Sequence, residues 1–179
     1  MIFKRLFGKN PHARSIESLY GKIMAHTRNP AFCTRLKVPD TLDGRFDLLA
    51  LHVFLVVRRI KDEEGAGELA RQLPEKMLAE IDRALREHGI SDMGVPRRVK
   101  TMGRAFLGRA TAYENALNSG DMKKLEDVLR RNLFSDAEPG QDIIGEFAGY
   151  VVATGAHLGE LAYDDISAGS ISFPEAGGG

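Results

Sequence analysis

Apolar positions recur at intervals of three and four along most of the chain, and no run of strict alternation marks a half-buried strand. Ile16, Leu19, Tyr20, Ile23 and Met24 predict a first helix over about 11–27. It stops before Asn29-Pro30, because a residue that precedes proline avoids helical backbone. Residues 32–38 read as a short irregular or helical link. Of the twelve residues from Phe46 to Val57 only Asp47 and His52 are polar, so a helix over about 41–61, opened by Asp40 or Thr41 as cap, is greasy on nearly every face. Such a helix must be enclosed, or must offer a groove to something apolar. Twelve residues fall short of the roughly 20 that span a bilayer.

A third helix is expected over about 68–88, with Leu69, Leu73, Met77, Leu78, Ile81 and Leu85 on one side. Pro74 removes one backbone hydrogen bond inside it and predicts a kink or a break into two helices, the break slightly favoured. A fourth, over about 96–118, sets Val99, Met102, Phe106, Tyr113 and Leu117 against a basic face of Arg97, Lys100 and Arg104. A fifth covers about 122–132. The sixth, about 141–161, buries Ile143, Ile144, Phe147, Val151, Val152 and Leu158, while Gly145, Gly149, Gly155 and Gly159 weaken it and point to close helix packing. Ile171 to Phe173 add a short extended end. The fold class is all-α: a single compact domain of about six helices around the central apolar helix at 41–61. Residues 1–10 form a basic-apolar N-terminal segment, 11–161 the helical domain, and 162–179 an acidic, Gly-ended tail.

Composition adds little to the fold and more to the partners. With 179 residues, 43% of them hydrophobic, one core is expected. The one cysteine, Cys33, excludes an internal disulfide and fits a reducing compartment. The first ten residues lack the features of a secretory signal or transit peptide, so the expected address is a bacterial cytoplasm. A formal net charge of zero hides a gradient. Residues 1–61 hold 12 Lys and Arg against 4 Asp and Glu, residues 62–132 hold 13 of each, and residues 133–179 hold 8 acids and no Lys or Arg. Either an anionic partner faces the N-terminal part, or the two ends fold together and neutralise one another.

Candidate chemistry is sparse. Phe3, Lys4, Arg5, Phe7 and Lys9 interleave apolar and basic side chains, as segments resting on anionic membranes do, and each cation contributes about 1 kcal/mol there. A frayed or core-docked start is the plainer reading. The face of Arg97, Lys100 and Arg104, joined by Arg98 and Arg109, is either a solvated surface or a site for ribosomal RNA or lipid phosphate. Asp47 and His52 read first as satisfied core polar groups, with Arg45, Arg58 or Arg109 as partners for Asp47, and second as a polar floor under an apolar groove. His12, His26, His52, His88 and His157 never stand three or four residues from another His or Cys, so no metal site is indicated. No nucleophile elbow, phosphate loop or haem-attachment motif is present. The reading is a non-enzymatic chain without a cofactor.

Several blocks together resemble the ubiquinol-cytochrome c chaperone family. They are Pro39-Asp40-Thr41-Leu42-Asp43-Gly44-Arg45-Phe46-Asp47; Leu51-His52-Val53-Phe54-Leu55 with Arg58-Arg59; Ile81-Asp82 and Leu85-Arg86-Glu87; Asp92-Met93 and Val95-Pro96; Lys100-Thr101-Met102; Phe106-Leu107-Gly108-Arg109; and Tyr113 with Ala116-Leu117. They lie between about Leu19 and Leu133. The resemblance implies an all-helical chaperone, with no catalytic motif, that binds newly made cytochrome b and supports assembly of respiratory complex III. In mitochondrial relatives it implies action with a small partner at the ribosomal exit. The ribosome, an anionic membrane on the cytoplasmic face and a second assembly factor are therefore further candidate partners, and DNA is not. Mitochondrial members carry a long N-terminal extension not seen here, and Cys33 stands where a second aromatic residue is expected beside Phe32. On this reading the client surface is assigned to Phe32, Phe46, Leu49, Met93, Met102, Phe106 and Tyr113, with Arg45, Arg58 and Arg109 as orienting charges. The alternatives are a haem- or quinone-handling helical protein and a lipid-surface scaffold.

Overall fold

The computed structural model describes residues 12–177 apart from 88, 92 and 136, and within them the chain forms eight helices and no strand. The helices are α1 (Ala13–Thr27), α2 (Ala31–Thr34), α3 (Leu42–Ile60), α4 (Gly67–Glu87), α5 (Val95–Ser119), α6 (Met122–Leu133), α7 (Gln141–Glu160) and α8 (Tyr163–Ser167). They make one all-α domain around α3. Thirteen of the nineteen residues of α3 are buried, which a helix achieves only when neighbours cover it on every side; α1, α4, α5, α6 and α7 all pack against it.

The entry to α3 explains its sequence. Thr41 is extended (φ −115°, ψ 167°) and its Oγ1 accepts the Gly44 amide at 3.0 Å, satisfying one of the free N–H groups of the first turn. A Cβ at position 44 would stand 2.2 Å from the Pro39 carbonyl oxygen, so the turn closes only over glycine. At the other end Arg59 reaches across to α7 and donates to the Leu158 and Leu161 carbonyls at 3.1 and 2.9 Å, capping that helix.

Three expectations need correcting. α4 runs unbroken through Pro74. The proline costs about 3 kcal/mol, but Leu69 and Leu73 before it and Met77 after it are fully buried, at roughly 2 kcal/mol each, so a continuous stripe outweighs the lost hydrogen bond. In α7, close packing does not account for three of the four glycines: a Cβ at Gly149, Gly155 or Gly159 would meet nothing within 4 Å, and one at Gly145 would make only an ordinary contact with Glu126 Oε1 at 3.7 Å. Val152, placed in the core by its period, is 42% exposed. α2, the link, is one short helix that carries Phe32 into the core.

Beyond α8 the chain runs without regular structure but not free of the domain. Ile171 and Ala176 are buried, Ser18 donates to the Gly169 carbonyl at 2.8 Å, and Phe173 stacks on His26 with ring centres 4.6 Å apart. The charge gradient is mostly left standing: among the described residues, Arg35–Glu146 at 2.8 Å is the ion pair joining the basic N-terminal third to the acidic C-terminal quarter. Residues 3–9, the expected membrane-binding segment, lie outside the described residues.

Candidate functional site

The polar residues of α3 are built into the core. His52 is wholly buried, and its Nδ1 lies 2.8 Å from the Leu48 carbonyl, to which it must donate. Its Nε2 therefore accepts from the Tyr150 hydroxyl at 2.7 Å, and that oxygen in turn accepts from His26 Nε2 at 2.7 Å. Every proton in the relay is assigned by the one carbonyl at its end. Phe32 packs edge-on against both imidazoles, and Phe173 closes the cluster from the C-terminal segment. Burial pushes the His52 pKa down to about 3 and lowers that of His26, so both rings are neutral at physiological pH. Asp47, 4% exposed, is held by Arg109 Nη1 at 2.9 Å, and the Arg109 guanidinium also lies over the Phe46 ring. Of the three arginines expected for Asp47, Arg109 is the partner. Arg45 pairs with Asp40, while Arg58 binds Glu114 and Asn118, both at 3.0 Å.

The residues assigned to a client surface from sequence are scattered through the fold. Phe32, Phe46, Leu49, Met102, Phe106 and Tyr113 are all buried, between 0 and 7% exposed. Tyr113 lies against Phe54, and Phe32 within the histidine cluster. Met93 alone of the apolar members stands out, 93% exposed ahead of α5. These side chains hold α1, α2, α3, α5 and α7 together and form no continuous outer surface in this conformation. The reason is general: periodicity marks which positions want cover, and cannot say whether the cover is the chain itself or a partner.

An outer apolar surface does exist, and the sequence reading missed it. The end of α5, the start of α6 and the outward side of α7 enclose a groove of about 390 Å³. Ala116, Leu117, Met122, Leu125, Val152 and Ala156 supply apolar walls, with Arg58 and Asp121 at the margins. Met122 and Val152 are each 42% exposed there. Alongside, α7 presents Gly149, Val152, Ala153, Ala156 and Gly159 to the outside, a stretch of small and apolar residues that ends at the exposed Glu160. A second concavity, about 630 Å³, is lined by Arg130, Arg131 and Glu138 together with Phe134, Ala137 and Pro139, so charge interrupts its apolar walls. The signal that points to the groove face is the spacing of small residues in α7, a local pattern that a buried helix contact shares.

Among the described residues no group of three His, Cys, Asp or Glu side chains could hold a metal ion, and no helix is long and apolar enough to cross a membrane.

Taken together, these features define an all-α, single-domain protein organised about one enclosed helix. The crystal structure of the Cbp3 homolog from Brucella abortus has the same architecture: TM-score 0.82, 34% sequence identity, with 93% of this chain and 92% of that chain covered. The profile of the family described as Ubiquinol-cytochrome C chaperone matches residues 34–173, and the chain belongs to that family. A curated relative, ubiquinol-cytochrome-c reductase complex assembly factor 1 of Xenopus laevis, is 27% identical over 105 residues, which are 58% of this chain and 52% of the relative. The chain thus spans about half the length of the curated relative it matches.

Proposed function

We propose that this chain is an assembly chaperone of the ubiquinol–cytochrome c reductase complex, respiratory complex III, and that its client is newly synthesised cytochrome b. Membership of the chaperone family supports the assembly role, as does similarity to a relative named as an assembly factor of that complex. The observation that carries the client reading is the groove between α5, α6 and α7 with the bare face of α7 beside it. A helix destined for a membrane has apolar side chains all round. A face of Gly, Ala and Val lets such a helix approach closely, the packing used between helices within bilayers. Met122 contributes a thioether that adapts to varied apolar shapes. Binding by burial needs no catalytic group, and release follows when the client finds better cover in the assembled complex. The N-terminal segment with Phe3, Lys4, Arg5, Phe7 and Lys9 would add peripheral attachment near the site of insertion, and a second assembly factor or the ribosome would act beside it.

The test is photocrosslinking in the native host. A benzophenone amino acid at Val152 or Met122 is expected to capture cytochrome b while translation runs and to lose it when translation is blocked. The same probe at Glu75, on the exposed side of α4, serves as control. Capture from Glu75 but not from Val152 or Met122 would overturn the assignment of the groove, and no capture of cytochrome b from any position would overturn the client.

A further inference from the structure

The cations of α5 divide into two sets. Between Met93 and Tyr113 the chain carries Arg97, Arg98, Lys100, Arg104 and Arg109 and not one acid. Arg109 is committed to the buried Asp47, and Arg98 points toward Asp43 at 3.8 Å. Arg97, Lys100 and Arg104 are exposed and enter no ion pair among the described residues. Spaced at i, i+3 and i+7, they share one outer stripe of the helix, and Leu107 continues it at i+10 with 65% of its surface exposed. Arg97 to Leu107 covers about 15 Å of helix axis. Met93, 93% exposed, stands just ahead of the first turn.

Nothing in the fold accounts for this arrangement. Arg97, Arg98 and Lys100 crowd the N-terminal turns, where the helix dipole disfavours positive charge, and the first turn holds no acid to offset them. The rest of the outer face is muted: the Thr101 and Thr111 hydroxyls donate back to the Arg97 and Leu107 carbonyls, both at 3.0 Å, and so are withdrawn from solvent.

We infer that this stripe of α5 rests on an anionic membrane surface, its three cations at the level of the lipid phosphates and Leu107 and Met93 entering the boundary of the acyl chains. Charge complementarity selects an anionic partner. The exposed apolar residues select lipid over nucleic acid, because single-stranded RNA is gripped by aromatic stacking, and the α5 aromatics Phe106 and Tyr113 are buried. The site is separate from the groove: Ala116 and Leu117, which line the groove, lie two to three turns further along α5 and on another side of the helix. A chain seated this way keeps its groove open.

The chain has no tryptophan, so Leu107→Trp places a single fluorescent reporter on the stripe. Its emission is expected to shift to the blue with mixed phosphatidylcholine and phosphatidylglycerol vesicles, to stay unchanged with pure phosphatidylcholine, and to revert at high salt. Adding Arg97→Gln, Lys100→Gln and Arg104→Gln together should weaken vesicle binding at least about tenfold. All four positions are exposed, and an unchanged far-ultraviolet circular dichroism spectrum verifies the fold. Sedimentation with the mixed vesicles without a blue shift would mean that another segment holds the membrane, and would overturn the inference. So would a triple variant that binds these vesicles normally but loses affinity for polyuridylate RNA.

Discussion

At the scale of single residues, the buried histidines link the core to pH. His52 has a folded-state pKa pushed down to about 3 by burial, against about 6.5 when unfolded, and His26 is lowered in the same direction. A histidine depressed in the folded state binds its proton more readily when the chain unfolds. Its contribution is therefore fully present above about pH 6.5 and is lost as the pH falls from there toward 3. Between pH 6 and 5 ordinary carboxylates scarcely titrate, and His52 alone should remove about 1 kcal/mol of stability over that interval. Urea unfolding at the two pH values measures it. His52→Gln keeps an acceptor for Tyr150 and a donor for Leu48 but cannot titrate, and is expected to flatten most of that difference. His52 and Asp47 were legible in the sequence as core polar groups, but their partners were not. Tyr150 lies 98 residues from His52 along the chain, and only packing brings it within 2.7 Å.

At the scale of elements, the family-like blocks turn out to be joints. The stretch from Pro39 to Gly44 is a turn whose cap and close backbone approach start α3, and Arg58-Arg59 tie α3 to α5 and α7. Thr41→Ala should lower stability by about 1 kcal/mol through loss of the cap. Gly44→Ala should cost more, about 2 kcal/mol, because the new methyl meets a backbone oxygen that has no rotamer to change. Thermal melts of the two variants rank them, and an equal or milder effect of Gly44→Ala would show that the Pro39 turn yields easily. Helix positions were readable because amphipathic periodicity is local. Pro74 and the glycines of α7 misled because each has two local meanings. A proline breaks a helix unless burial on both sides outweighs it, and a small residue marks either a tight contact or a face left bare.

At the scale of the whole molecule, the chain closes on itself through its last residues. Phe173 covers His26 and His52 from a segment that has no regular structure, so the C-terminal quarter contributes to the core although its composition reads as an acidic tail. Phe173→Ala should cost about 1 kcal/mol for the lost ring contacts. Because burial is what lowers His26, opening that side should also move its pKa back toward 6.5, which imidazole proton resonances followed through a titration would report. A lower melting temperature with an unmoved His26 would mean that α1 and α7 bury the imidazole without the tail. The charge gradient behaves differently. One ion pair, Arg35–Glu146, bridges its two ends among the described residues, so the basic and acidic regions keep their separate fields for partners.

The residues alone determined that the chain is helical, that α3 must be enclosed, where most helices start, and that the family resemblance lies in the blocks around α3 and α5. All of these follow from spacing, capping and turn chemistry, which act over a few neighbouring residues. Tertiary structure decided which apolar side chains are core and which face outward. Phe32, Phe46 and Tyr113 went inside, whereas Val152, Met122 and Leu107 stayed out. The local pattern of each residue is the same in either case, because burial depends on which distant element arrives to cover it.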